Sequence, residues 1–128
     1  IEANAYNNQL RFNLRNGSNT YAWVNNFQNI VATGEWFYYV GWFDGTQSGN
    51  DRTKLYINGV NVPFDTQNGT APSSLPSFTA TDVFYLGRAV SAVWYTDGGI
   101  SNTHIYNRSL SDSEILHNYN ALKSRFGL

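Results

Sequence analysis

The chain has 128 residues, of which 16% are aromatic and only 13% charged, with a formal net charge of −1 and no cysteine. A chain of this length suits a single domain, 1–128, that buries roughly 65% of its unfolded surface. Near-neutral charge excludes the basic field that nucleic acid requires, absent cysteine excludes disulfides and thiolate metal sites, and no apolar run approaches the ~20 residues of a membrane span.

Aromatic and β-branched residues favour strands, so a mostly β chain is expected. Gln9 to Arg15 alternates apolar and polar, Asn16-Gly17 follows, and Ser18 to Val24 alternates again. This predicts a hairpin with a two-residue turn, pairing Phe12 with Tyr21 and Leu10 with Trp23 on one face, and Asn13 with Thr20 and Arg11 with Ala22 on the other. Trp36 to Phe43 is apolar on both faces, which predicts a central strand packed on each side. Asp44 to Thr53 is a polar loop. Lys54 to Ile57 is a strand that turns at Asn58-Gly59 into Val60 to Val62, a second two-residue hairpin.

Pro63 to Thr81 holds all three prolines and reads as a surface loop or a wandering edge. Val83 to Gly87 and Ile100 to Tyr106 are the last two predicted strands. Ser111-Asp112-Ser113-Glu114 then forms a capping box, with Leu110 and Ile115 placed as a hydrophobic staple. Ile115, Tyr119, Leu122 and Phe126 recur at helical spacing, and Gly127 suits the position just past the helix end.

The order of these last elements resembles the C-terminal end of laminin G-like domains, a branch of the concanavalin A-like jelly rolls. The matching residues are Leu86-Gly87-Arg88, then Gly98, Ile100 and Ile105-Tyr106-Asn107-Arg108, then Leu110-Ser111, Glu114 and Ile115. Trp36, Asp44-Gly45 and Leu55-Tyr56-Ile57-Asn58-Gly59-Val60 extend the likeness to the middle strands. The resemblance implies an all-β, two-sheet antiparallel jelly-roll sandwich with one short C-terminal helix. Its opening strands, a Phe-Asp-Gly strand and a Val-x-Val-Trp strand, have no counterpart here. The expectation is the C-terminal part of a longer polypeptide, the alternative being strands added at a sheet edge by a partner.

Ile115 to Leu128 also looks like the end of laminin G-like domains in virion structural proteins of tailed bacteriophages. That likeness implies a non-enzymatic display, decoration or adhesion module on a capsid, fibre or tail, exposed at the virion surface. Its partners would be other virion proteins, copies of itself, or host polysaccharide. The alternative is a carbohydrate-binding module of a secreted or cell-surface protein, placed outside the cell.

Chemistry is sparse. Laminarinase-like jelly rolls carry a Glu-x-Asp-x-x-Glu strand whose acid and nucleophile stand about 5–5.5 Å apart, and this chain has no such strand. Its glutamates are Glu2, Glu35 and Glu114, the last assigned to the helix cap. His104 and His117 form no nucleophile or metal constellation, so no enzyme is expected. A sugar site needs an exposed aromatic ring flanked by hydroxyl-bonding side chains. Trp94, Tyr95 and Asp97 in one loop, with Trp42 on the doubly apolar strand, are the candidates; packing of Trp94 onto the core or a neighbouring subunit is the competing reading. No organic cofactor is expected. Calcium is the one ion to weigh, with Asp44, Asn50, Asp51 and Asp97 as oxygen ligands, against the simpler reading of both Asp-Gly pairs as turn chemistry.

Overall fold

The computed structural model describes residues 2–6, 9–16, 18–24, 30–77, 79–80, 83, 85–87 and 95–128. In chain order they form β1 (Glu2–Tyr6), β2 (Gln9–Asn16), β3 (Ser18–Val24), β4 (Tyr39–Phe43), β5 (Thr53–Ile57), β6 (Val60–Val62), β7 (Thr66–Asn68) and α1 (Asp112–Leu122). The strands make two antiparallel sheets, ordered β1-β2-β3-β7 and β4-β5-β6. A mostly strand-built chain with one C-terminal helix was expected from composition and capping, and is found.

The first hairpin forms with a different register. Asn16 faces Ser18, so Phe12 opposes Ala22 and Leu10 opposes Val24, while Asn13 meets Tyr21 and Arg11 meets Trp23. Every pair is one residue removed from the two-residue-turn expectation. Burial of one β2 face fixes this strand: Leu10, Phe12 and Leu14 alternate along it, and all three are buried. Turn length yields to that requirement, because a strand's side chains alternate with period two.

β5 is buried on both faces. Leu55 and Ile57 join Leu10 of β2 and Val31 in one apolar cluster, with Phe37, Tyr39, Val62 and Phe64 around it. Tyr56, on the opposite face, joins Trp42, Leu110 and Ile115 in a second cluster, flanked by Tyr38 and Val40. One face of the three-stranded sheet therefore packs on β2 and the other on α1. Each fully buried Leu or Ile contributes about 2 kcal/mol of transfer free energy, so this doubly covered strand is the centre of the described core.

The doubly apolar character of Trp36 to Phe43 has the same origin, but its strand is shorter and placed differently. Only Tyr39–Phe43 is strand, and it pairs with β5 alone among the described strands, at the sheet's edge rather than its centre. Two-sided cover comes from β2 and α1 packing above and below, which needs no strand on both sides. Gly41 is required where it stands: a Cβ there would lie 2.6 Å from Cε2 of Phe12. The sheets approach closely enough to exclude a side chain.

The second hairpin matches expectation. Ile57 pairs with Val60 across Asn58-Gly59, whose φ values of 52° and 79° are those of a type I′ turn. Asn58 does more than turn the chain: its N–H donates to the Tyr38 carbonyl at 2.9 Å, and its Oδ1 accepts from the Tyr38 N–H at 2.9 Å. That two-way bond continues the β4–β5 pairing past the strand end.

The helix also begins where its sequence signals place it. The Ser111 hydroxyl accepts from the Glu114 N–H, and the Glu114 carboxylate accepts from the Ser111 N–H at 2.8 Å, which completes the capping box. Leu110 and Ile115 are both buried, in the same cluster. A 3-10 turn over Lys123–Phe126 follows, ended by Gly127 at φ 72°.

Two expected strands are corrected. Ile100 to Tyr106 contains no strand, and neither do the described residues of Val83 to Gly87; Tyr95 alone in this region makes an isolated bridge. A strand exists only where a neighbour supplies N–H and C=O partners, and none of the described strands runs alongside either segment. Val83, Leu86, Ile100 and Ile105 are consequently exposed, Ile105 to 72%.

Candidate functional site

The loop from Asp44 to Arg52 is tied together by its own side chains. Asp44 accepts from the Thr46 N–H at 2.9 Å, the Thr46 hydroxyl at 2.7 Å and Gln47 Nε2 at 3.2 Å, and Ser109 Oγ lies at 3.5 Å. The bonds from Thr46, then Gln47, hold its carboxyl below the ordinary carboxylate range. Arg52 donates to the Gln47 carbonyl at 2.9 Å and to the Ala71 carbonyl at 2.7 Å. Asn50 Oδ1 accepts from the Ala71 N–H at 3.4 Å. Both Asp44 oxygens thus face donors, and the Arg52 guanidinium occupies the Gln47 and Ala71 carbonyls. Among the described residues no three His, Cys, Asp or Glu side chains gather as a metal set.

The aromatic candidates separate. Trp42 is 8% exposed, and its Nε1 donates to the Leu110 carbonyl at 2.7 Å. Lys54 Nζ stands 4.7 Å from its ring centroid. Trp42 is therefore a core residue and not an open platform; alternation could not distinguish its face from the one turned to β2. Trp94 lies outside the described residues. Tyr95 is 67% exposed and Asp97 is exposed beside it, with the neighbouring Thr96 N–H donating to the Gly87 carbonyl at 2.8 Å.

Trp36, read from the sequence as a strand residue and not as a site candidate, stands next to this loop. Trp36 is 42% exposed, and Phe126 braces its ring at a centroid distance of 5.1 Å and a tilt of 43°. Gly99 lies against the ring so closely that a Cβ there would be 2.8 Å from Cη2. A half-open indole is thus held from two sides, by Phe126 and by Gly99. The signal that could have found it is the tandem Gly98-Gly99, since a residue lacking Cβ permits close approach of a large ring.

A cleft of ≈ 320 Å³ opens between the Tyr106–Leu110 segment and the first half of α1. Its polar walls are Tyr106, Arg108, Ser113, Glu114, His117 and Asn118, with Leu110 beneath. Arg108 grips Glu114 through two parallel bonds of 2.7 and 3.0 Å and also donates to the Ser109 carbonyl. The Arg108 bonds, followed by those from Ser111, hold the Glu114 carboxyl down at about 2. Asn118 Nδ2 donates to the Tyr106 hydroxyl at 3.2 Å, and His104 meets the Tyr106 ring edge-on at 6.3 Å. A second cleft of ≈ 230 Å³ brings Asn50 and Asp51 together with Lys54, Asn61, Phe64 and Gln67.

These surfaces belong to a known architecture. A family model for the concanavalin A-like lectin/glucanases superfamily, in its laminin G form, matches residues 2–116. The chain belongs to that superfamily. Comparison with curated proteins and with solved structures gave no match.

Proposed function

We propose that the chain is a non-enzymatic adhesion or display module that binds surface polysaccharide. The observation that carries this reading is Trp36, half exposed and held by Phe126 and Gly99. A rigid indole offers an apolar face to the C–H side of a sugar ring. Superfamily membership is compatible with carbohydrate as the ligand class. A glycan array probed with the folded protein tests the reading. Binding to at least one polysaccharide, lost in Trp36→Ala, is expected; an array without a hit overturns it.

The exposed Val83, Leu86, Ile100 and Ile105 favour a second reading about where the module works. Apolar side chains left on a surface suit contact with other subunits, as on a capsid, fibre or tail of a virion, which the helix residues Ile115 to Leu128 also resemble. A protein that stays monomeric in sedimentation at high concentration, and joins no particle, would remove that reading and leave an extracellular carbohydrate-binding module.

A further inference from the structure

The cleft at α1 and the Trp36 ring are separate places, with different chemistry. We propose that the α1 cleft is a second sugar subsite, one that takes a neutral pyranose residue and excludes uronic acids; this rests on the reading of the module as a polysaccharide binder. Three features of the cleft argue for it.

The first is size. A space of ≈ 320 Å³ lies at the lower end of small-ligand sites, which run about 300–1,000 Å³, and suits one or two sugar rings. The second is donor and acceptor layout. Vicinal sugar hydroxyls each donate and accept, so they are best met by planar groups carrying two polar atoms. Arg108, on one side of the cleft, and Glu114 and Asn118, on α1, are three such groups. The Arg108–Glu114 pair uses only some of the guanidinium donors, and Glu114 Oε1 accepts from Arg108 Nη2. Tyr106, 46% exposed, presents ring area for the C–H face, and Asn118 fixes its hydroxyl.

The third feature is charge. Arg108 is the lone guanidinium lining the cleft, and its charge is already neutralised by the two-bond grip of Glu114. A uronate entering would meet the Glu114 carboxylate with no free cation to offset it. A neutral sugar meets no such repulsion and loses no ionic hydration on entry.

Amide NMR titration of the full chain with methyl glycosides of glucose, galactose and mannose, and in parallel with glucuronate, tests the assignment. The expected result is saturable shifts at Tyr106, Arg108, His117 and Asn118 with at least one neutral glycoside. Asn118→Ala, which puts a good helix former at a half-buried helix position, should weaken that binding about tenfold. Shifts confined to the Trp36 region overturn the subsite and leave the polysaccharide reading standing. Preference for glucuronate overturns the neutral class. No shift with any sugar, in a protein that also fails on the array, removes both.

Discussion

The indole Nε1 of Trp42 donates to the backbone carbonyl of Leu110 at 2.7 Å, joining an edge strand to the residue just before the helix cap across 68 positions of sequence. Both residues are buried, so the bond forms where no water can replace it. It is the polar fastener of an otherwise apolar contact between β4 and α1.

Trp42→Phe removes that donor and leaves the Leu110 carbonyl buried and unpaired. An unsatisfied buried acceptor costs about 1–3 kcal/mol, and the smaller ring adds a cavity term. Guanidinium denaturation followed by circular dichroism should show a loss of about 2 kcal/mol or more; an unchanged midpoint would mean the helix docks without this bond.

Tyr39→Phe should act in the opposite direction. The Tyr39 hydroxyl is buried in the inter-sheet cluster with no hydrogen-bond partner among the described residues, and burial pushes its ionisation well above the ordinary phenol range. Removing a buried, unbonded hydroxyl gains about 1 kcal/mol. A higher melting midpoint, by a few degrees, is the expected outcome, and a lower one would reveal a partner for the hydroxyl.

Gly41→Ala tests how tightly the sheets meet. The new methyl would stand 2.6 Å from the Phe12 ring, so overpacking should cost about 1–3 kcal/mol. Phe12→Leu in the same chain should relieve part of that cost, and a double-mutant cycle reads the coupling directly. Strict additivity would place the two residues out of contact.

The Glu114 cap sets an acid limit on the helix. Its folded carboxyl titrates at about 2 against an ordinary 4.5. A depressed value means the charged form is stabilised: the contribution is fully present above about pH 4.5 and is lost as pH falls toward 2. Thermal melts should therefore decline through that window. Glu114→Gln should melt lower than the parent at pH 6 and converge with it near pH 2; parallel curves at all pH values would assign the acid sensitivity elsewhere.

What the sequence disclosed, and what it hid, divides by range. Asn58-Gly59 and Ser111 to Glu114 are readable because their geometry is encoded in adjacent residues: two positive φ values in the one case, reciprocal cap bonds in the other. The β2–β3 register was missed because it answers to burial of Leu10, Phe12 and Leu14 against another sheet, which no turn rule contains. Trp42 and Trp36 exchanged roles for the same reason. Both are tryptophans of one apolar stretch, and only the positions of Leu110 and Gly99, far along the chain, decide which is covered and which stands open. Ile100 to Tyr106 has the composition of a strand, but composition cannot supply a neighbour.

The cover that α1 lays over β5 also governs when this protein can finish folding. Trp42 and Tyr56 acquire their polar partners, the Leu110 carbonyl and the Asp112 carboxylate, only after 68 and 56 further residues. Contacts so distant in sequence make folding slow, because a long loop must close before either bond compensates for it. On the ribosome, the outward face of β4 and β5 would remain bare until Leu110 to Ile115 emerge, a sticky surface awaiting its lid. The helix is thus a timing element: the chain commits to its final form when Ile115 arrives.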